Sequence, residues 1–139
     1  MIAIIRISGR VNLKTKIEET LDRLRLRRKY SCVVIKSTKE TQGMLNLVRD
    51  FVAYGEISEE IFEKLIQQRG QLINKNKKID SKKVIEDLGK DKKYEELNLK
   101  PFFRLHPPRK GIKSKKHFNV GGVLGNNREK INELIERML

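Results

Sequence analysis

Few side chains in this sequence could carry out covalent or metal chemistry. The 139 residues include one cysteine and two histidines, namely Cys32, His106 and His117. Metal sites built from such side chains usually take three or four ligands. One cysteine and two histidines that are far apart in the sequence cannot supply such a set. The histidines also have no carboxylate near them in the sequence, so we expect polar contacts and no acid–base catalysis from them. The sequence therefore predicts no enzymatic activity, no metal and no other cofactor.

Two further patterns give no support to catalysis. The acidic residues at 59–63, 86–87 and 95–96 alternate with lysines on predicted helices, which is typical of solvated helix faces. The loop 121–125 reads Gly-Gly-Val-Leu-Gly but lacks the Gly-Lys-Ser/Thr ending of a nucleotide-binding loop. Its backbone could still contact a phosphodiester at the start of the following helix. A nuclease would need metal-binding carboxylates near the basic residues, and the sequence offers none.

The strongest signal is a basic segment, residues 97–128, that contains no acidic residue. It carries eight lysines and arginines, and it would repel itself unless a polyanion neutralised it. The Pro-Pro pair at 107–108 favours an extended course that exposes Arg104, Arg109 and Lys110. Arginine forks match phosphate oxygens, and lysine adds a point charge. The segment therefore predicts contact with a large polyanion.

A second basic cluster lies at residues 23–29, where five of seven residues are Arg or Lys. It falls at the end of a predicted helix, where it could be only a solvated helix end or could contact RNA. We favour an RNA contact, because no acidic residue interrupts the five cations. Phe102, Phe103 and Phe118 interleave with cations; they could stack on unpaired bases, but we favour anchoring of the basic segment on the core. The candidate contacts are Arg25, Arg27, Arg28, Lys29, Arg104, His106, Arg109, Lys110, Lys113, Lys115, Lys116, His117 and Arg128.

The overall charge narrows the class of polyanion. A formal net charge of +14 and a pI near 10.0 indicate affinity for nucleic acid or an anionic membrane. No apolar run approaches the ~18 residues of a membrane span, and the apolar start of the chain is too short for a signal peptide. Neither a zinc finger nor a basic zipper is present, which favours structured RNA over sequence-specific DNA. A free-standing, DNA-compacting protein remains the alternative.

The hydrophobic pattern predicts a small α+β fold. Apolar runs at 2–7, 30–35 and 51–54 predict three strands, and the first is apolar on both faces. A capping box at Thr15 and a cap at Thr38 predict the intervening helices. The second helix is expected to bury Met44, Leu47, Val48 and Phe51. Further helices are predicted from Ser58, from Ser81 and from Asn126 or Asn127, the last with an apolar stripe of Ile131, Leu134, Ile135 and Met138.

These elements divide into a β-α-β-α-β kernel, residues 1–57, and a helical and loop extension, residues 58–139. The extension contains the basic segment and ends in a helix. Within the kernel, residues 41–48 (TQGMLNLV) and 52–57 (VAYGEI) resemble the core signature of the ribosomal protein family numbered thirty of the large subunit. Residues 103–111 (FRLHPPRKG) and the final helix resemble its archaeal long form, whose eukaryotic counterpart is numbered seven.

The resemblance implies a kernel related to the ferredoxin-like fold, with a three-stranded sheet and helices on one face. It implies a structural constituent of the large ribosomal subunit in the cytoplasm, which contacts ribosomal RNA and neighbouring ribosomal proteins. No catalysis, small-molecule substrate or membrane contact is implied, and the lack of a long basic N-terminal arm favours an archaeal source. The family motif Gly-Asn-Arg is here Gly-Asn-Asn-Arg, so Arg128 is displaced by one position. The motifs carry RNA contacts onto Thr41, Gln42, Arg104, His106, Arg109 and Lys110.

Overall fold

The computed structural model describes residues 1–9, 13–90, 92–112 and 114–139. The predicted mixture of helices and strands in one α+β fold is confirmed. Short 3₁₀ turns precede Asn98, Gly121 and Ile131. In chain order, the strands and α-helices are β1 (Ile2–Arg6), α1 (Thr15–Arg23), β2 (Ser31–Ile35), α2 (Lys39–Val48), β3 (Val52–Glu56), α3 (Glu59–Arg69), α4 (Ser81–Gly89), β4 (Phe103–Arg104), β5 (Gly125–Asn126) and α5 (Ile131–Met138).

The strand β1 lies at the centre of a sheet whose order is β4-β2-β1-β3-β5. It is antiparallel to β2 and β3, so that Ile5 lies opposite both Cys32 and Ala53. The isoleucines of β1 explain this central place, because β-branched side chains suit a strand buried on both faces. The three strands of the predicted kernel are therefore present. The extension adds β4 beside β2 and β5, in parallel, beside β3; strands of two residues are too short for a hydrophobic period to reveal.

The side chains of β1 alternate between two apolar clusters, one on each face of the sheet. Ile2 and Ile4 belong to the cluster that α1 and α2 complete. Ala3 and Ile5 belong to the cluster that α3, α4 and α5 complete. The resemblance implied helices on one face, and the structure differs because the helices of the extension cover the other face. A strand that is apolar on both sides needs such cover on both. The division of the chain at residue 57 stays a prediction.

The first helix is shorter than its pattern suggested. Thr15 is the first helical residue and not the cap, and no side chain caps this helix, so the predicted capping box is wrong. The helix ends at Arg23, and residues 25–29 therefore form a loop instead of the predicted helix end. Arg25 and Tyr30 adopt left-handed conformations, with φ of 62° and 64°. These two residues reverse the chain between α1 and β2.

Side-chain caps begin α2 and α3 as predicted. The Oγ1 atom of Thr38 accepts a hydrogen bond from the Thr41 amide at 3.1 Å, and Ser58 caps α3 in the same way. Each cap satisfies an N–H group that has no partner within its helix. The helix α4 starts at Ser81 and ends at Gly89, as predicted, and the side chain of Asp80 caps it by accepting from the amide of Lys82.

The second helix faces the core largely as predicted. Val48 is buried, and Met44 and Phe51 pack half-buried against the same apolar cluster. The prediction for Leu47 is wrong, because it is 44% exposed, and Leu45 is buried beside Val48 instead. The strand preferred for residues 51–54 is confirmed as β3.

The final helix packs its predicted stripe into the core. A 3₁₀ turn, Arg128–Lys130, separates Asn126 and Asn127 from α5, so neither residue caps that helix. The Oδ1 atom of Asn126 accepts instead from the amide of Arg128, at 2.9 Å. Gly55 of β3 makes room for this turn, because a Cβ atom there would lie 2.2 Å from the carbonyl oxygen of Arg128. The buried stripe residues are Ile131, Leu134, Ile135 and Met138.

At the end of β1 lies Arg6, a charged residue that is only 1% exposed. Its guanidinium donates to the carbonyl of Leu26 at 2.7 Å, to that of Ser8 at 3.0 Å and to that of Gly9 at 3.4 Å. Its own carbonyl accepts from the Tyr30 amide at 2.7 Å. A buried charge is tolerated only when it is well hydrogen-bonded. Arg6 thus fastens the loop after α1 to the loop after β1.

Replacing Arg6 by Met should lower the free energy of unfolding by about 2–4 kcal/mol, because the buried carbonyl of Leu26 loses its donor and the loop loses its anchor. Urea titration measures this free energy. The matched control is Lys16→Met on the exposed side of α1, which should change it by less than about 0.5 kcal/mol. Equal stability of the Arg6 variant and the unchanged protein would contradict this role.

Cys32 should not react with a thiol reagent while the protein is folded. The residue is 0% exposed, and burial raises the pKa of its thiol to about 12. At pH 8 the thiol is therefore both inaccessible and protonated, and only the thiolate reacts. Ellman's reagent should leave the native protein unmodified over minutes and should label the single cysteine in guanidinium chloride. Labelling of the native chain at the rate of the unfolded chain would show that β2 is not buried in this way.

Candidate nucleic-acid interface

The registers of the sheet bring several basic loops together at one end, which we call the basic end. It is the end at which β1 finishes and at which β2 and β3 begin, since Ile5 lies opposite Cys32 and Arg6 opposite Val52. The strand β4 finishes there, and β5 starts there. Within the described ranges, the loops at this end comprise residues 7–9, 24–30, 49–51, 105–112 and 114–124.

The loop 24–30 turns its cations outward around two buried leucines, Leu24 and Leu26. Leu26 is 0% exposed, and its amide donates to the carbonyl of Leu21 at 2.9 Å while its carbonyl accepts from Arg6. This double attachment fixes the loop backbone. The side chains that the loop exposes are those of Arg25, Arg27, Arg28 and Lys29.

A groove of about 1000 Å³ separates this loop from β4, and we call it the arginine groove. Among the described residues that line it, six are cationic and Asp22 alone is acidic. Arg25 also pairs with Glu95 at 3.4 Å, but such an exposed pair is weak and easily exchanged. A cleft lined by one sign of charge concentrates the opposite charge within it. The lining residues are Gly9, Asp22, Arg23, Arg25, Arg27, Arg28, Lys29, Ser31, Phe102 and Arg104.

The phenylalanines of the basic segment divide between two uses. Phe103 is 0% exposed and meets the edge of the Tyr94 ring, with centroids 6.3 Å apart, so it anchors the segment as expected. The hydroxyl of Tyr94 donates to the carbonyl of Val34, and burial raises its pKa. Phe102 is half-buried in the wall of the arginine groove, where Arg104 Cζ lies 5.5 Å from its ring centroid. This ring both packs on the core and faces the groove.

The segment after β4 is fastened to the C-terminal end of α5. The amide of His106 donates to the carbonyl of Met138 at 3.1 Å, and that of Arg109 donates to the carbonyl of Arg137 at 2.9 Å. These bonds satisfy carbonyl groups that have no partner within the helix. The segment then turns at Lys110, whose φ is 65°, so it is not one continuous extended strand. The side chains of His106, Arg109 and Lys110 are exposed.

The sequence predicted no carboxylate near His117, but the fold places one beside it. Its Nε2 atom lies 2.6 Å from Oδ1 of Asp50, at the start of the chain into β3. The two residues are 67 positions apart, so the fold and not the local sequence brings them together. This contact ties the loop 114–124 to the kernel. The neighbouring Lys115 and Lys116 remain exposed.

Four of the predicted contact residues do not belong to the described basic end. Lys113 lies outside the described residues. Thr41 is 9% exposed, and its hydroxyl lies 3.0 Å from that of Thr38. Gln42 donates to Ser37 Oγ at 3.1 Å, beyond the opposite end of β2. Arg128 also lies at that opposite end, beside β3, and its φ is 52°.

Sequence reasoning missed three cations that the fold adds to the basic loops. Arg23 lines the arginine groove; it belongs to the basic cluster 23–29 but was not among the candidate contacts. Arg137 of α5 donates to the carbonyl of Gly111 in the loop 109–112, and Lys130, at the end of the preceding 3₁₀ turn, lies over the ring of Phe118. A signal for Arg6 was present, because a charged residue inside an apolar central strand must have buried partners.

The arrangement can bind anions but shows no catalytic constellation. In the described part of the chain, no three His, Cys, Asp or Glu side chains are placed to hold a metal ion. Oriented guanidinium and ammonium groups around a concave surface are suited to phosphate oxygens.

No helix within the described ranges is both long and apolar enough to cross a membrane.

Comparison with known proteins gives matches over the whole chain. Residues 2–52 match the family described as ribosomal protein L30p/L7e. The large ribosomal subunit protein uL30 of Archaeoglobus fulgidus is 42% identical, with 99% of each chain covered. The protein of that name from Methanosphaera stadtmanae is 41% identical over 100% of both chains. The one from Nanoarchaeum equitans is 39% identical over 99% of this chain and 97% of its own.

These archaeal relatives match the extension as well as the kernel. The resemblance carried by the motifs at 41–48 and 103–111 is thereby confirmed. So is the expectation of a structural role instead of an enzymatic one, since the family consists of ribosomal proteins. The chain belongs to the ribosomal protein L30p/L7e family, in its archaeal long form.

Proposed function

We propose that this protein binds folded ribosomal RNA of the large subunit through the basic end of its sheet. Its family gives it a structural role in the cytoplasmic ribosome, and its relatives are named as large-subunit proteins. The observation that carries the RNA contact is the arginine groove, where six cations face one carboxylate. Such a surface attracts the phosphates of a nucleic acid strongly and sequence-independently.

The proposed mechanism separates support from contact. The sheet and its helices form the support, and the loops at the basic end lie against RNA phosphates and release their counterions. Faces away from the basic end are available to neighbouring ribosomal proteins. The kernel 1–57 and the extension 58–139 both contribute, because the arginine groove combines loop 24–30 of the first with β4 of the second.

The proposed contacts follow from this placement. Gln42 and Arg128 are additional contacts on other parts of the surface, and the buried Thr41 supports the first turn of α2, which carries Gln42. Lys113 is included for its charge in the basic segment. The contacts proposed at the basic end are Arg25, Arg27, Arg28, Lys29, Arg104, His106, Arg109, Lys110, Lys115, Lys116 and His117.

Replacing both Arg28 and Arg104 by Gln should weaken binding to large-subunit ribosomal RNA and flatten its salt dependence. Each lost phosphate contact lowers the slope of log affinity against log salt by about 0.7–0.9, so the double variant should lose about 1.4 to 1.8. Filter binding between 50 and 200 mM KCl measures this slope. The matched control is Lys82→Gln with Lys83→Gln on α4, which removes the same charge from residues that do not line the arginine groove.

Two results would contradict the proposal. One is an equal loss of slope in the α4 control and in the groove variant, because the charge would then act without regard to place. The other is competition by duplex DNA as strong as that by ribosomal RNA at equal phosphate concentration. That outcome would favour the DNA-compacting alternative.

A further inference from the structure

A second concave surface lies at the basic end, between the loop 109–112, the glycine loop 121–123 and α5. It encloses about 600 Å³, and we call it the α5 cleft. We propose that the α5 cleft receives the base of one unpaired RNA nucleotide, while the cations at its rim hold the adjoining phosphate. This inference rests on the proposed function and adds to it a contact with a base, which phosphate binding alone does not require.

The walls of the α5 cleft are held in place by the fold. The amide of Arg109 donates to the carbonyl of Arg137 at 2.9 Å, and Nη1 of Arg137 donates to the carbonyl of Gly111 at 3.2 Å. On the other side, a Cβ atom at Gly122 would lie 1.8 Å from the carbonyl oxygen of Lys116, so the glycine loop lies directly against that residue. A cleft formed in advance loses little conformational freedom when it is filled.

The inner surface of the cleft is apolar and of suitable size. Val123 and Leu134 are 8% and 4% exposed, and the half-buried side chains of Ile112 and Phe118 complete the lining. Pockets for small molecules occupy roughly 300–1000 Å³ and are mainly apolar with a few polar groups. The volume of the α5 cleft falls within that range, so one nucleobase with its sugar would fit.

The rim of the cleft is positively charged. Arg109, Lys110, Lys130 and Arg137 line it together with Glu133 and Glu136. Glu136 pairs with Lys64 at 3.3 Å, but this exposed pair is as weak as that of Arg25 with Glu95; the rim is positive because its four cations outnumber its two carboxylates. The Nζ atom of Lys130 lies 5.5 Å from the ring centroid of Phe118. A base stacked near this ring would therefore have its phosphate close to a cation.

The combination fits a nucleotide better than an apolar side chain from a neighbouring protein. Such a side chain would cover the lining but would take water from the rim cations without giving them a partner. An unpaired nucleotide offers a flat face for stacking and a phosphate beside it. Since a base within a duplex keeps its faces stacked on its neighbours, the nucleotide in the cleft must come from a loop, a bulge or an end.

Replacing Phe118 by Leu should weaken binding to purified large-subunit ribosomal RNA about tenfold, because stacking on an aromatic ring is lost. Its salt dependence should not change, because no cation is removed. Phe118→Tyr keeps the ring and should restore the affinity. Thermal unfolding of all three proteins, followed by circular dichroism, verifies that each is folded. Filter binding at fixed and varied KCl gives both quantities.

Fluorescence reports the occupant directly. The chain contains no tryptophan, so the F118W variant carries a single reporter at the cleft. Purified ribosomal RNA should quench its emission and protect it from acrylamide, whereas a fully paired RNA duplex should not. Quenching only in reconstituted large subunits, and not by RNA alone, would assign the cleft to a neighbouring protein and overturn the inference.

The proposed RNA binding and the proposed nucleotide in the α5 cleft can be disproved separately. If the unchanged protein does not bind ribosomal RNA, the proposed function and this inference are both wrong. If it binds but Phe118→Leu binds equally well, RNA binding stands and the nucleotide in the α5 cleft does not.

Discussion

The hydrogen bonds from the buried guanidinium of Arg6 are the contacts on which the basic end depends. A charge at the end of a central strand costs much solvation energy, and the carbonyls of Leu26 and Ser8, at 2.7 and 3.0 Å, offset that cost. Because these carbonyls belong to two loops, one side chain fixes both. The loop 24–30 is thus ordered before any RNA arrives, which reduces the entropy that binding must supply. The buried Arg6 thus fixes the loop that carries the exposed Arg25, Arg27 and Arg28.

The basic segment belongs to the same sheet as the kernel. It forms β4 on one edge and β5 on the other, so residues 105–124 cross the basic end between the two edges. The attachments that hold this crossing include the buried ring of Phe103, the backbone bonds from His106 and Arg109 to α5, and the contact of His117 with Asp50. The strands β4 and β5 also cover the outer edges of β2 and β3, which protects those edges from pairing with other chains.

Local patterns in the sequence predicted the elements that depend on local contacts. The apolar run of β1 and the caps at Thr38 and Ser58 lie within a few residues of what they determine. The missed features depend on contacts between distant residues: the strands β4 and β5 exist only as partners of β2 and β3, and Asp50 is 67 residues from His117. Residues 25–29 were predicted as a helix end because the left-handed residue that follows the helix is Arg25 and not a glycine. A glycine there would have marked the end of the helix in the sequence. Charge composition predicted the ligand class and most of the cations, but only the fold shows which of them share a groove.

The most direct test of the basic end is to map crosslinks between protein and RNA in intact large ribosomal subunits. Ultraviolet crosslinking followed by mass spectrometry of the peptides identifies the residues that touch RNA. If the basic end contacts RNA, crosslinked peptides should come from residues 24–30 and 102–112. Few should come from α4, although α4 also carries exposed lysines. Crosslinks concentrated on α4, with the arginine groove unmodified, would contradict it.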